Sequence, residues 1–252
     1  MKVLLLDIET APHEAYVWGL FDQNIPLDRL VTPGYTLCFS AKWLGQKEII
    51  FHSVYHDGPK RMLKKIHKLL DEADAVIHFN GTRFDIPTLQ GEFLINEMLP
   101  PAPFKQIDLY RVVRKNFRFP SNKLDFILRI LKIGEKVRHR GMDLWKGCMR
   151  RDPECWKEMK AYNLGDTKEL EPLYNRLLPW IPNHPNHGTF ANHDTPVCPN
   201  CGSAHLQRRG FARTIVGVYS RYQCVGCGTW TRDAVSEQPR GSQKHIMRRI
   251  VS

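Results

Sequence analysis

Near the start of the chain an unbroken apolar run, Val3-Leu4-Leu5-Leu6, leads straight into Asp7-Ile8-Glu9-Thr10. The run reads as a β-strand, and residues two apart in a strand project from the same face. Asp7 and Glu9 are then a pair of hard oxygen ligands at the end of a rigid element. Such a pair suits Mg²⁺ or Mn²⁺ and is a poor tenant of an apolar core. On its own it restricts little, because an Asp-x-Glu triplet is common. The question is which other residues the fold brings beside it.

Strand signals recur at 35–43 and 48–54, where β-forming residues predominate, with a turn at Gly45-Gln46 between them. Residues 60–72 carry Met62, Ile66, Leu69 and Leu70 at helical spacing. A short buried strand, 75–79, ends at Asn80-Gly81, and a helix over 85–98 follows. A brief strand is expected at 104–108 and helices at 109–116, 123–131 and 156–178, the last stopped by Pro179, Pro182 and Pro185. This order of strands and helices is a mixed α/β pattern. Residues 181–196 are rich in Pro, Asn and His and read as a linker. It would join a domain over 1–180 to a small module over 197–235, with a basic tail over 236–252. His184, His187 and His193 read as plain linker residues, since cysteines with better ligand spacing lie close by.

Two further acidic positions join the first pair. Asp85 follows a strand and a glycine turn, His78-Phe79-Asn80-Gly81-Thr82-Arg83-Phe84, and so opens a helix at the end of the sheet. Taken alone it also reads as a helix cap. Tyr162 and Asp166 are four apart on a helix and share a face. Met159, Leu170, Leu173 and Leu177 lie near that face, where an acid is costly unless paired or metal-bound. Alternatively Asp166 is simply solvated. Phe84 is expected in the core, as an apolar residue after a turn. Asp125, after Ser121-Asn122-Lys123-Leu124, reads as an early-helix charge and not as a further ligand.

Together these three sites resemble the DEDD superfamily of 3′→5′ exonucleases, which includes the proofreading domains of DNA polymerases. The family's Asp-x-Glu motif is matched by Asp7-Ile8-Glu9. Its second motif, Asn followed at short spacing by Phe/Tyr-Asp, is matched by Asn80 through Phe84-Asp85. Its third, Tyr-x₃-Asp, is matched by Tyr162 and Asp166. The other branch of the family carries His five positions before the last Asp, where this chain has Ala161. The resemblance therefore implies the tyrosine branch and covers about 160 residues. It implies a ribonuclease-H-like mixed sheet flanked by helices and a two-metal mechanism with Mg²⁺ or Mn²⁺. Asp7, Glu9, Asp85 and Asp166 would be the metal ligands, and Tyr162 would aim the water with Glu9. Thr10, Asn80 and Arg83, beside the acids, are candidates for contacts with the terminal nucleotide. Alternatives within reach are an exoribonuclease, a structure-selective endonuclease of the same fold, and a non-catalytic nucleic-acid-binding protein.

Of the seven cysteines, Cys38, Cys148 and Cys155 read as core or surface thiols. The other four form Cys198-Pro-Asn-Cys201-Gly and Cys224-Val-Gly-Cys227-Gly. Two such turns aim four thiolates at one point, which suits one tetrahedral Zn²⁺, and the segment resembles a zinc ribbon. Arg208, Arg209, Arg213 and Arg221 are interleaved there with Phe211, Tyr219 and Tyr222. That mixture suits phosphate contacts and base stacking. The other reading is a protein-binding ribbon whose aromatics form its core. Net charge is +11, and residues 183–252 hold nine Lys/Arg against three Asp/Glu. A polyanion partner is expected, DNA ahead of RNA, with a polymerase or other replication or repair protein as a possible associate. No apolar run reaches a membrane span and no signal peptide is legible, so a cytoplasmic location is expected, the host's if the chain is phage-encoded. The resemblance suggests phage or bacterial DNA metabolism.

Overall fold

A computed structural model of the chain describes residues 1–190, 194–215 and 217–238. His193 and the basic tail from 239 onward, with Lys244 through Arg249, lie outside the described residues. The chain divides into two compact units, Lys2–Tyr174 and Asn175–Ser252.

The first unit is built on a five-stranded sheet. Its strands are β1 (Val3–Thr10), β4 (Thr36–Trp43), β5 (Ile50–Ser53), β6 (Ala75–His78) and β7 (Lys105–Asp108). The order across the sheet is β5-β4-β1-β6-β7. β1 pairs antiparallel with β4 and parallel with β6, so the sheet is mixed. Between β1 and β4, the strands β2 (Glu14–Ala15) and β3 (Leu30–Thr32) form a small hairpin that the sequence pattern does not announce, since neither strand alternates. The helices are α1 (Pro59–Glu72), α2 (Asp85–Ile95), α3 (Leu109–Asn116), α4 (Leu124–Ile130), α5 (Met142–Met149) and α6 (Pro153–Leu177). This is the helix-flanked mixed sheet that the sequence implies. Among the described residues no helix is long and apolar enough to cross a membrane.

β1 is central, and its two faces divide the labour. Leu4, Leu6 and Ile8 pack with Phe39, Met62, Ile66, Leu89 and Phe93, against α1 and α2. The alternate residues face the other side, where Cys38, Leu144, Cys148, Trp156, Met159 and Tyr162 form a second core with α5 and α6. Cys38, Cys148 and Cys155 are all buried, as core thiols. Across the ladder Asp7 is opposite Ser40. The Ser40 hydroxyl donates to the Asn163 carbonyl (2.8 Å) and shares a hydrogen bond with the Thr167 hydroxyl (2.6 Å). An ion pair between Lys42 and Glu171 ties the same two elements together. These bonds fix α6 across the β1–β4 ladder in one register.

The helices depart from expectation in places: α2 ends at Ile95, short of 98, and α4 runs Leu124–Ile130, within the expected 123–131. α6 begins three residues earlier, because Asp152 caps it by accepting the Glu154 amide (2.9 Å) and Pro153 fits the first helical position. α5 was not anticipated: it has only two buried residues, Leu144 and Cys148, and no periodic stripe.

Among the described residues, the second unit holds β8 (Leu206–Arg213), β9 (Val218–Cys224) and β10 (Trp230–Arg232), a three-stranded antiparallel sheet in the order β10-β9-β8. Asn200 donates to the carbonyls of Leu178 (2.9 Å) and Ile181 (3.3 Å), tying the first cysteine turn to the chain that precedes it.

Leu6 is fully buried in the first core. Truncation Leu6→Ala is predicted to lower stability by about 2–5 kcal/mol, measured by urea unfolding followed through tryptophan fluorescence. A loss well under 1 kcal/mol would mean that β1 is not the packed central strand.

Candidate active site and cysteine centre

Asp7 and Glu9 leave the α6 side of β1, and Asp166 meets them from α6. Each offers one oxygen, and these atoms all lie within 4.8 Å of one another. Asn163, three residues before Asp166, donates its amide to Asp7 Oδ2 (2.7 Å) and fixes that carboxylate. Asp85 stands to one side. The last β1–β6 pair is Leu5–Ile77, and the amide of Ile8 beyond it donates to Asp85 Oδ1 (3.2 Å). Asp85 is thus the buried first residue of α2 and not its cap, which is Phe84 and forms no side-chain bond. Because Asp85 takes the inward direction at the start of α2, Phe84 turns out and is 59% exposed. This corrects the expectation that Phe84 packs in the core.

The carboxylates are short of compensating charge. Burial first, then Glu9, Asp166 and Asp85, raise the Asp7 pKa well above its ordinary value, with Lys136 opposing. Burial and Asp166 push Glu9 up to about 8. Burial lifts Asp85 to about 6 against the pull of the Ile8 amide. Burial also raises Asp166, and Lys136 only partly offsets it. Asp166 Oδ1 is buried with no hydrogen-bond partner. The cation present is Lys136, whose Nζ lies 2.6 Å from Asp166 Oδ2 and donates to the Tyr162 hydroxyl (3.0 Å). Burial pulls the Lys136 pKa down, but Asp166 and Tyr162 outweigh it and the net shift is upward. Burial and the Asp166 charge raise Tyr162, which stays protonated at neutral pH.

A cavity of about 620 Å³ opens beside these groups, lined by Asp7, Asp166, Lys136, Phe79, Asn80 and Tyr110, among others. Asn80 is held at φ +67°. Asp108 imposes that turn: its carboxylate accepts the amides of Asn80 (2.9 Å) and Thr82 (3.4 Å) while capping α3 through Tyr110 (3.1 Å). Arg83 is exposed on the same turn, and Thr10 lies past a bulge in the β1–β4 ladder. Asp125 sits in the first turn of α4, paired with Arg129 at 2.9 Å, as an early-helix charge. Lys136, Asn163 and Asp108 were not anticipated as site residues. Asp108, lying between a strand and a helix, carried a legible capping signal. Lys136 had only its place in a basic stretch.

In the second unit the four thiols of Cys198, Cys201, Cys224 and Cys227 also lie within 4.8 Å of one another. Cys198 and Cys227, and Cys201 and Cys224, are 3.6 Å apart. A tetrahedron of metal–sulfur bonds of about 2.3 Å has edges of about 3.8 Å, so the donor set fits a metal. Both turns have the same construction. Gly202 and Gly228 sit at φ +75° and +80°, and each donates to the carbonyl of the first cysteine of its pair (2.9 Å). This explains the glycine after each Cys-x-x-Cys. Burial would raise Cys224, but amides of Cys227 and Gly226 and the neighbouring thiols lower it to about 7. On the sheet, Arg208 lies over Phe211, Arg221 over Trp230 and Arg232 over Tyr219, so the aromatic rings carry arginine neighbours of their own. The Arg209 side chain donates to Gln207, and Arg213 ends β8 exposed.

A sequence model of the RNase_H superfamily matches residues 31–178, more than half of the chain, and the chain belongs to that superfamily. β1 with Asp7 and Glu9 precedes the matched segment. Among solved structures, a family B DNA polymerase from the hyperthermophilic archaeon Pyrobaculum calidifontis is similar in fold, at 15% identity and a TM-score of 0.55, over 71% of this chain and 24% of the polymerase. An RNase D from Trypanosoma brucei aligns at 15% identity and a TM-score of 0.44, over 77% of this chain and 59% of that one. The chain thus spans less than two thirds of either. No curated protein sequence matches it.

A carboxyl with a raised native pKa binds more protons folded than unfolded, so its contribution to stability is complete below its ordinary pKa and is lost as pH rises through the native one. For Glu9 that window runs from 4.5 to about 8. The metal-free first unit is therefore predicted to melt at lower temperature as pH climbs from 5 to 8.5. Glu9→Gln should flatten that slope. An unchanged slope in the variant would show that Glu9 is not protonated in the native site.

Proposed function

We propose that this protein is a metal-dependent 3′→5′ exonuclease of the tyrosine branch of the DEDD group, acting on DNA. The observation that carries the reading is the convergence of Asp7, Glu9 and Asp166 with Tyr162 one helical turn before Asp166. The donor chemistry fits Mg²⁺ or Mn²⁺: three carboxylates, one with an unpartnered buried oxygen. Asp7, Glu9 and Asp166 would hold the cations, with Asp85 beside them. Bound there, two such ions supply Lewis-acid charge on the scissile phosphate and an acidified water.

The chain's own groups set the geometry. Asn163 keeps Asp7 turned toward Asp166. Lys136 donates to the Tyr162 oxygen, which leaves the tyrosine proton to point at an acceptor other than Lys136. A protonated tyrosine suits aiming a water, in concert with Glu9, better than abstracting its proton. Lys136 holds Asp166 Oδ2 and supplies a positive charge beside the carboxylates. Asn80, on its Asp108-held turn in the first cleft, would contact the last nucleotide together with Thr10 and Arg83.

For the second unit we propose one Zn²⁺ on Cys198, Cys201, Cys224 and Cys227, in a ribbon that assists nucleic-acid binding through Arg208, Arg209, Arg213, Tyr219 and Arg221. Arg208 and Arg221, each lying over an aromatic ring, and the exposed Arg209 and Arg213 offer guanidinium donors suited to phosphate contact.

Asp7→Ala and Asp166→Ala are predicted to abolish Mg²⁺- or Mn²⁺-dependent release of nucleotides from a 3′-labelled single strand, and Tyr162→Phe to slow it by about 10²-fold. Wild-type rates in the aspartate variants would sink the assignment. Cutting of a circular single strand would replace the exonuclease with an endonuclease. Elemental analysis of the purified chain should find one zinc, and Co²⁺ should give thiolate charge-transfer absorption that Cys201→Ser removes. A chain with no bound metal and no cobalt spectrum would leave the cysteines without this role.

A further inference from the structure

A second cleft, of about 450 Å³, adjoins the first. The two share Asp125 and Lys136, and Tyr162 lines the second one alone. Its outer wall is the segment 134–140, Gly-Glu-Lys-Val-Arg-His-Arg, which joins α4 to α5. This strap is stapled to α6 at successive points. Lys136 reaches Asp166 and Tyr162. Val137 lies against Gly165, where an added Cβ would meet its Cγ2 at 2.8 Å. The His139 ring stands edge-on to Tyr162 (4.8 Å) and to Trp145 (5.1 Å). Arg140 pairs with Glu158 at 2.7 Å. The glycine between Tyr162 and Asp166 is thus the gap into which the strap fits.

Arg138 is left over. It is exposed, lines the cleft, and makes no hydrogen bond or ion pair among the described residues. Its neighbours do not claim it. Arg129 is paired with Asp125, Lys136 with Asp166, and Glu135 on the rim is the one unpaired acid of the lining among the described residues. The two clefts differ in chemistry. The first presents the Phe79–Tyr110 ring pair (5.7 Å) and Asn80 beside the carboxylates. The second presents Arg138 as its one guanidinium without an acidic partner among the described residues, on the wall formed by the strap.

We propose that the second cleft binds the sugar–phosphate backbone of a single strand, with Arg138 as the contact to a phosphate one or more nucleotides away from the one that lies at the carboxylates. This rests on the nuclease reading above and specifies its substrate: a single strand longer than two nucleotides, since a dinucleotide has no internucleotide phosphate besides the scissile one. Lys136, on the partition between the clefts, marks the point where the strand passes from one to the other. The staples on either side fix the backbone that carries Arg138, so that only its side chain has to be ordered when it meets a phosphate.

The test uses the full chain carrying Asp7→Asn to prevent cleavage, and measures binding of fluorescein-labelled oligothymidylates of two and eight nucleotides across a salt series. Each phosphate contact to a single strand contributes about 0.7 to the slope of log affinity against log salt. Arg138→Ala should lower that slope for the eight-mer by about 0.7 and shrink the affinity gap between eight-mer and dinucleotide. Arg138→Lys should keep the slope. Lys68→Ala, which removes an equal charge from the exposed face of α1, should change neither. An eight-mer slope that is the same in Arg138→Ala and Lys68→Ala overturns the proposal. The readout is binding, so it separates two failures: a wild-type chain that hydrolyses no strand while the Arg138 effect persists removes the nuclease and keeps the cleft. Hydrolysis with no Arg138 effect does the reverse.

Discussion

Asp7, Glu9 and Asp166 crowd their carboxylates together on the buried side of a central strand, and the repulsion among them is the constraint around which the rest of the first unit is arranged. Like charges at this spacing, out of bulk water, hold protons or require a cation. Lys136 meets part of that demand through Asp166, while burial first and then the neighbouring acids keep Asp7 and Glu9 raised. A divalent cation bound there would offset the repulsion among these charges and the cost of burying them.

Holding such a cluster takes a rigid frame. β1 supplies two of the acids at fixed spacing, with apolar residues of its opposite face locked against α1 and α2. α6 supplies the third, and its registry with the sheet comes from polar bonds: Ser40 to Asn163 and Thr167, Lys42 to Glu171, Asn163 to Asp7. Apolar packing alone tolerates sliding, whereas directional bonds between buried groups fix one arrangement. Asp108 does the same for the turn that carries Asn80 and leads to Asp85. In the second unit two matched cysteine turns bring four thiols within 4.8 Å of one another.

The parts of this design that were legible in the sequence are those written in short-range pattern. The Asp7–Glu9 pair needed only the two-residue period of a strand, Tyr162 and Asp166 only the helical turn, and the cysteines only their spacing. The main strands and helices were legible for the same reason. The parts that were hidden depend on contacts between distant segments. Lys136 looks like any surface lysine until the strap is laid on α6, and Asn163 bonds to a residue 156 positions away. The exposure of Phe84 follows from the inward turn of Asp85, which a local rule for apolar residues does not see. α5 buries too little to leave a stripe, and the β2–β3 hairpin is too short to alternate.

Crystals of the full chain grown or soaked with Mn²⁺ would address the carboxylate cluster most directly, through anomalous scattering from the metal. A peak among Asp7, Glu9 and Asp166 is expected, with Lys136 Nζ moved off Asp166. A protein that takes up no Mn²⁺ at these carboxylates, with Lys136 still seated on Asp166 at saturating metal, would contradict that expectation.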